Sequence, residues 1–192
     1  LSMHDPYIQA PPATTWISQV PDMEDTDKNY LEACAVFDKA LGTFIDRLWH
    51  TTLRENTIVV IVSDHEARRM CLSPAMSDDR LLFTIVNSGL PGFTNDETVG
   101  QIDVFPTIVD AMGLWDSVTW HGFGKSLLRE IPGFALRHDG SIAGNAMSDT
   151  AGIARQQRAA ELSYRWIVAD NKRYILDSLG IDSTILPPSA TD

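Results

Sequence analysis

Eight residues in the middle of the chain, Asn56-Thr57-Ile58-Val59-Val60-Ile61-Val62-Ser63, restrict its folding more than any other stretch. From Ile58 to Val62 every side chain is apolar and β-branched, with no polar alternation. Such a run predicts a strand covered on both faces, as in the middle of a parallel sheet with helices on either side. It stops at Ser63-Asp64-His65-Glu66, where apolar residues give way to ionisable ones. Ligands of open α/β sheets bind beyond the carboxyl ends of the strands. Asp64 and His65 are therefore candidate functional residues: a carboxylate oxygen and an imidazole nitrogen delivered together can share one divalent ion. A loop ion pair or a helix cap would use the same two side chains, and the dipeptide alone leaves these readings open.

The flanking segments fit an α/β arrangement. Tyr30, Cys34, Phe37, Leu41, Phe44 and Leu48 recur at alternating spacings of four and three. That is one face of a helix of about six turns, with Asp25 or Thr26 as its cap and Lys28, Glu32, Asp38, Lys39, Asp46 and Arg47 mostly off the stripe. A second apolar strand over Leu81–Val86 ends in the turn signal Asn87-Ser88-Gly89-Leu90-Pro91-Gly92. A second helix over Asp103–Met112 carries Pro106 in its first turn and an apolar face of Val104, Phe105, Ile108, Val109 and Met112. Helix, strand, loop, strand, helix is the order of a layered α/β domain with a mainly parallel sheet. Further on, Phe134–His138 reads as a short strand before an Asp139-Gly140 turn. Residues 149–162 read as a helix capped by Asp149 or Ser148, and Tyr164–Val168 with Arg173–Leu176 as an antiparallel hairpin. The expected organisation is one α/β portion over 1–130 and a small α+β subdomain with a frayed tail over 131–192.

Composition removes several functional classes. The chain has 192 residues with 15 Lys+Arg against 26 Asp+Glu, a net charge of −11, which argues against a nucleic-acid partner. No run approaches a membrane span in length. Cys34 falls on the helical stripe and Cys71 in a loop, so no disulfide framework is expected. GxSxG and HExxH are both absent, and no residue stands out as a nucleophile beside its base. Two other histidines have suggestive settings. His4 precedes Asp5-Pro6-Tyr7 at an apparent strand exit, and His121 lies in Trp120-His121-Gly122-Phe123-Gly124-Lys125-Ser126, whose glycines allow close backbone approach. His50 and His138 read as surface residues.

Several segments, in order, resemble one family. His4-Asp5-Pro6-Tyr7 is similar to an HxP[YF] element, and Phe37–Ile45 to the helix carrying a YxDxALGxFI pattern. Asn56–His65 is similar to NTIVVxxSDHG, Gln101–Ile108 to QxDxxPTI, and Gly124–Leu128 to GxSLL. Arg165-Trp166-Ile167 with Lys172–Ile175 resembles a closing hairpin, VRxxxxKYI. Over about residues 1–177 the chain resembles the carboxyl-terminal part of the sulfatase-like branch of the alkaline phosphatase superfamily, in particular the lipoteichoic acid synthase and phosphoglycerol transferase group.

The resemblance implies a mixed, mainly parallel sheet between helices, a small antiparallel C-terminal hairpin, and a metal site at the sheet's carboxyl edge. It implies transfer or hydrolysis of a phosphate or sulfate ester, on a phospholipid headgroup or a glycan, through a covalent enzyme intermediate. Asp64 and His65 match two metal ligands; His4 matches a histidine that touches the substrate's anionic oxygens, and His121 is a weaker substrate-side candidate. Histidine after aspartate suits manganese or zinc, with calcium or magnesium as the alternatives, and favours phosphoester chemistry over sulfate. The family's nucleophile and an acidic ligand lie upstream of the HxP element, so this chain is expected to be a fragment, inactive alone. Its exposed sheet edge is expected to self-associate. An extracytoplasmic location follows from the resemblance, with membrane attachment only through upstream segments. Glu66 departs from the family's glycine. A non-catalytic binding or scaffolding domain of the same fold is the alternative that this departure and the absent nucleophile suggest.

Overall fold

The computed structural model describes residues 7, 14–66, 72–76, 80–137, 139–145, 147, 149–168 and 172–182. They belong to two compact units, Leu1–Pro91 and Gly92–Asp192. His4, Cys71 and His138 lie outside the described residues.

In the first unit a helix, α1 (Asp25–Trp49), precedes two strands, β1 (Val59–Val62) and β2 (Phe83–Val86). The periodic stripe does form one long helix, starting at Asp25 after Glu24. Its burial is distributed differently from the expected face. Asp27, Glu32 and Ala33 are the buried residues of α1, while Phe37 and Phe44 are exposed. The reason is local: the amino-terminal half of α1 anchors irregular chain by hydrogen bonds rather than by apolar contact alone. Glu32 accepts both the backbone N–H and the hydroxyl of Thr14, at 3.0 and 2.9 Å. Asp27 accepts the backbone N–H of Ser73 at 3.0 Å and also its hydroxyl. Asn29 donates to the Tyr7 carbonyl at 2.9 Å. Around these anchors Tyr7, Ile17, Ala33 and Leu72 are buried, and the Tyr7 ring meets Tyr30 edge-on at 5.0 Å. Burial raises the Cys34 thiol and pushes the Tyr30 phenol up to about 12.

β1 and β2 pair antiparallel, with Val59 opposite Val86 and Val62 opposite Phe83. Among the described residues no strands pair in parallel. The connection from β1 returns to the same end of the sheet, where Ser63 N–H donates to the Leu82 carbonyl at 2.9 Å, and that direction of return requires antiparallel pairing. The apolar run is only partly covered, since Val62 is exposed and its three predecessors half-buried. Asn87 closes the second strand in the left-handed region, at φ 64°. Its amide donates to the carbonyls of Arg54 and Thr57 at 2.6 and 2.7 Å, which ties the exit of β2 to the approach to β1.

The second unit contains α2 (Val104–Ala111), a hairpin of β3 (Phe134–Leu136) and β4 (Ile142–Gly144), then α3 (Thr150–Val168) and α4 (Lys172–Ser178). The hairpin turns through Asp139 and Gly140, with Phe134 opposite Gly144. The hairpin expected over 164–176 is not formed; Tyr164–Val168 and Lys172–Leu176 are helical. Asp149 caps α3 by accepting the Gly152 N–H at 2.7 Å. Between there and Val168 no proline interrupts propagation, and the inward stripe of Ile153, Gln156, Ala159, Leu162 and Trp166 keeps helical spacing. Helix continuation therefore overrides the strand propensity of the Tyr-Arg-Trp-Ile-Val run. No described helix is long and apolar enough to cross a membrane.

Two substitutions test the anchoring role of α1. Asp27→Ala leaves the Ser73 donors without their acceptor and should cost about 1–3 kcal/mol in urea denaturation, whereas exposed Asp46→Ala should stay within about 0.5 kcal/mol. Gly42→Ala fills open space on the helix, since nothing lies within 4 Å of the added Cβ, and should stabilise by about 0.5–1 kcal/mol.

Candidate functional site

Ser63 follows β1 directly, so Asp64 and His65 project where the ladder ends and the connection to β2 begins. Their side chains are largely exposed, at 90% for Asp64 and 54% for His65. Asp64 Oδ1 accepts the backbone N–H of His65 at 2.9 Å, while its Oδ2 stands 3.7 Å from His65 Nε2. His65 Nδ1 lies 2.7 Å from the Glu66 carbonyl oxygen. A carbonyl only accepts, so Nδ1 carries the proton in the neutral ring and Nε2 carries the lone pair. Hydrogen bonding of one ring nitrogen to a carbonyl is the usual way a metal-binding histidine has its tautomer set.

This donor pair fits a divalent cation. Ligand bonds of about 2.1 Å allow two donors on one ion to stand at most about 4.2 Å apart, and Oδ2 and Nε2 satisfy that limit. A mixed carboxylate and imidazole pair suits zinc or manganese. The pair is not a complete set: among the described residues no group of three or more His, Cys, Asp or Glu side chains is arranged to hold a metal ion. Glu66 introduces no backbone strain where the family pattern has glycine. Positive φ at described non-glycine residues is confined to Asp22 and Asn87.

His121 belongs to the second unit and sits exposed on a tightly built loop. Trp120 Nε1 donates across the loop to the Gly124 carbonyl at 2.7 Å. The indole covers Gly122, whose added Cβ would come within 2.2 Å of it, and an added Cβ on Gly124 would come within 1.9 Å of the Ile102 carbonyl oxygen. Trp120 in turn stacks on Phe105 at 5.8 Å and lies 6.3 Å from Trp115. The loop's exit is held by α2. Asp103, buried, accepts the Lys125 N–H at 2.8 Å on one oxygen and the Gly100 N–H at 2.9 Å on the other. Thr107 Oγ1 accepts the Leu127 N–H at 3.0 Å and donates to the Asp103 carbonyl at 2.5 Å. Asp110 accepts from Ser126 at 2.6 Å and from Arg129 at 2.7 and 3.0 Å.

These contacts explain why the buried residues of α2 are Pro106, Thr107 and Ala111, with Phe105 and Met112 exposed rather than on the expected inward face. The sequence placed Asp103 only at the start of the second helix, and the supporting parts of Thr107, Asp110, Ser126 and Arg129 went unseen. Their signal was the joint occurrence of the QxDxxPTI and GxSLL elements, which here touch each other. Desolvation pushes the Asp103 carboxyl up despite its backbone donors, whereas the Arg129 guanidinium holds Asp110 below the usual carboxylate range.

Asp64 and His65 thus stand side by side at the end of an apolar strand. A family model describing sulfatases matches residues 1–114, a span that includes Asp64 and His65. The chain belongs to the sulfatase family, and that membership implies an alkaline-phosphatase-like α/β fold. Lipoteichoic acid synthase 1 of Bacillus subtilis (strain 168) is 27% identical over 134 residues, which cover 62% of this chain and 20% of that protein. The lipoteichoic acid synthase of Staphylococcus aureus (strain USA300) is 31% identical over 116 residues, 53% of this chain and 18% of that protein. The chain thus spans about a fifth of the length of these curated relatives. No solved structure matches it.

Gly124→Ala should destabilise the second unit by about 1–3 kcal/mol in thermal melts, because the Ile102 backbone cannot retreat. Gly92→Ala, with open space around it, should be nearly neutral. Asp110 has a depressed pKa when folded, so its stabilisation is complete above the unfolded value and fades as pH falls through the folded one. The melting difference between wild type and Asp110→Asn should accordingly be full at neutral pH and shrink below about pH 4.

Proposed function

We propose that this chain supplies two metal ligands, Asp64 and His65, to a metal-dependent phosphoglycerol transferase or sulfatase-like hydrolase. The enzyme acts on phosphate or sulfate esters through a covalent enzyme intermediate. One observation carries the reading: Asp64 Oδ2 and His65 Nε2 stand 3.7 Å apart at the end of β1, with the imidazole's other nitrogen engaged by the Glu66 carbonyl. Asp64 and His65 would hold a manganese or zinc ion, which when bound would supply charge neutralisation at the ester's anionic oxygens. Asp64 contributes the negative charge that retains the cation, and His65 contributes a neutral donor of fixed tautomer.

The reading places the nucleophile outside these 192 residues, and makes His4 and His121 substrate-side groups. An ester on a phospholipid headgroup or a glycan is the substrate class that agrees with relatives named for lipoteichoic acid synthesis. The family's extracytoplasmic setting comes with the same reading. The two-stranded β1–β2 sheet, apolar on both strands, supports association of the chain with itself along an open edge.

Manganese binding followed by electron paramagnetic resonance tests the ligands. The 192-residue chain should bind Mn²⁺, and Asp64→Ala or His65→Ala should each weaken binding by about tenfold or more. Unchanged binding in both variants would remove the metal assignment. An absence of binding in the wild type would favour the non-catalytic binding or scaffolding domain instead. The chain by itself should show no turnover of a phosphodiester such as bis(p-nitrophenyl) phosphate in the presence of manganese or zinc.

A further inference from the structure

The ladder between β1 and β2 ends irregularly, at the residue that precedes Asp64. Val62 pairs with Phe83, so Ser63 and Leu82 are next in register. Facing residues of an antiparallel pair alternate between exchanging both N–H···O bonds and exchanging neither. Ser63 N–H donates to the Leu82 carbonyl at 2.9 Å, which marks this as an exchanging pair. The return bond goes to a side chain instead: Leu82 N–H donates to the Ser63 hydroxyl oxygen at 3.3 Å. The hydroxyl stands in for the carbonyl that a regular ladder would use here. A main-chain carbonyl held by Leu82 would carry β1 straight on past residue 63. With the side chain as acceptor, the backbone keeps this last contact with β2 and still bends at Asp64 and His65.

The hydrogen bonds that follow are of another kind. Asp64 Oδ1 with the His65 N–H, and His65 Nδ1 with the Glu66 carbonyl, join sequence neighbours. They set the two side chains relative to each other, and leave open the direction in which the pair departs from the sheet. We propose that Ser63 is a positioning residue: by accepting the Leu82 N–H, its hydroxyl sets the angle at which Asp64 and His65 leave β1. The consequence for a bound cation rests on the reading of those two residues as metal ligands; the orienting role of Ser63 does not. A hydroxyl offers acceptor lone pairs that a methyl group lacks. Alanine at 63 therefore deprives the Leu82 N–H of this acceptor. Threonine keeps the oxygen, and its branched side chain suits extended backbone.

The test compares Ser63→Ala, Ser63→Thr and Ser88→Ala in the 192-residue chain. Ser88 is the control because its hydroxyl also accepts a backbone N–H at 3.3 Å, from Leu90, beyond β2 and away from the pair. Residual dipolar couplings of backbone N–H vectors, measured without metal, report direction relative to the strands. In Ser63→Ala the couplings of Asp64 and His65 should change, while those of Ile61 and Thr84, which face each other in the ladder, keep their wild-type values. The Leu82 amide should exchange about tenfold faster, as loss of one hydrogen bond allows. Ser63→Thr should restore the wild-type pattern, and Ser88→Ala should never depart from it. Manganese affinity, followed by electron paramagnetic resonance, should fall about tenfold in Ser63→Ala and stay within about twofold in Ser63→Thr. Unchanged Asp64 and His65 couplings in Ser63→Ala would overturn the proposal. Equally large changes at Ile61 and Thr84 would overturn it too, because Ser63 would then support the sheet as a whole. Displaced couplings with undiminished manganese affinity would remove its bearing on the metal ligands. Absence of manganese binding in the wild type would overturn the metal reading of the pair, and the couplings would decide the role of Ser63 by themselves.

Discussion

Irregular backbone has donors that need acceptors, and in this chain buried carboxylates provide them. Asp27, Glu32 and Asp103 are all less than a tenth exposed, and each accepts backbone N–H groups from segments without regular structure. A buried carboxylate is costly unless its oxygens are fully engaged. Here both oxygens of each one are engaged. The arrangement does the work that a larger apolar core would otherwise do. Few large apolar side chains are fully buried, and many sit at half exposure.

The two regions of chemical interest depend on this support to different degrees. The 120–127 loop is fastened at several points by α2, through Asp103, Thr107 and Asp110. Asp64 and His65 depend instead on strand pairing, because Ser63 bonds to Leu82 immediately before them.

What could be read from residues alone follows the range of the interactions concerned. The change from Val62 to Ser63-Asp64-His65 is local, so the placement of the pair at a strand end was legible. The partner of β1 was not, because strand direction is decided by how a distant segment returns. The helical period of α1 was legible from Tyr30 to Leu48, but which residues it buries was not. Glu32 is buried because Thr14, eighteen residues away, needs an acceptor. Over 164–168 the β-branched and aromatic composition pointed to a strand, and a helix already started at Asp149 prevailed, while 172–176 falls in a separate helix. The glycines of the His121 loop were visible as a pair, whereas closure of the loop by the Trp120 indole is a tertiary fact.

That closure divides the loop's positions into two kinds. Trp120, Gly122 and Gly124 are committed to holding its shape, since each fills or vacates a space that nothing else can occupy. His121 and Phe123 of the same loop are exposed. New side chains can therefore be tried at 121 and 123 with less disturbance of the framework than at 120, 122 or 124.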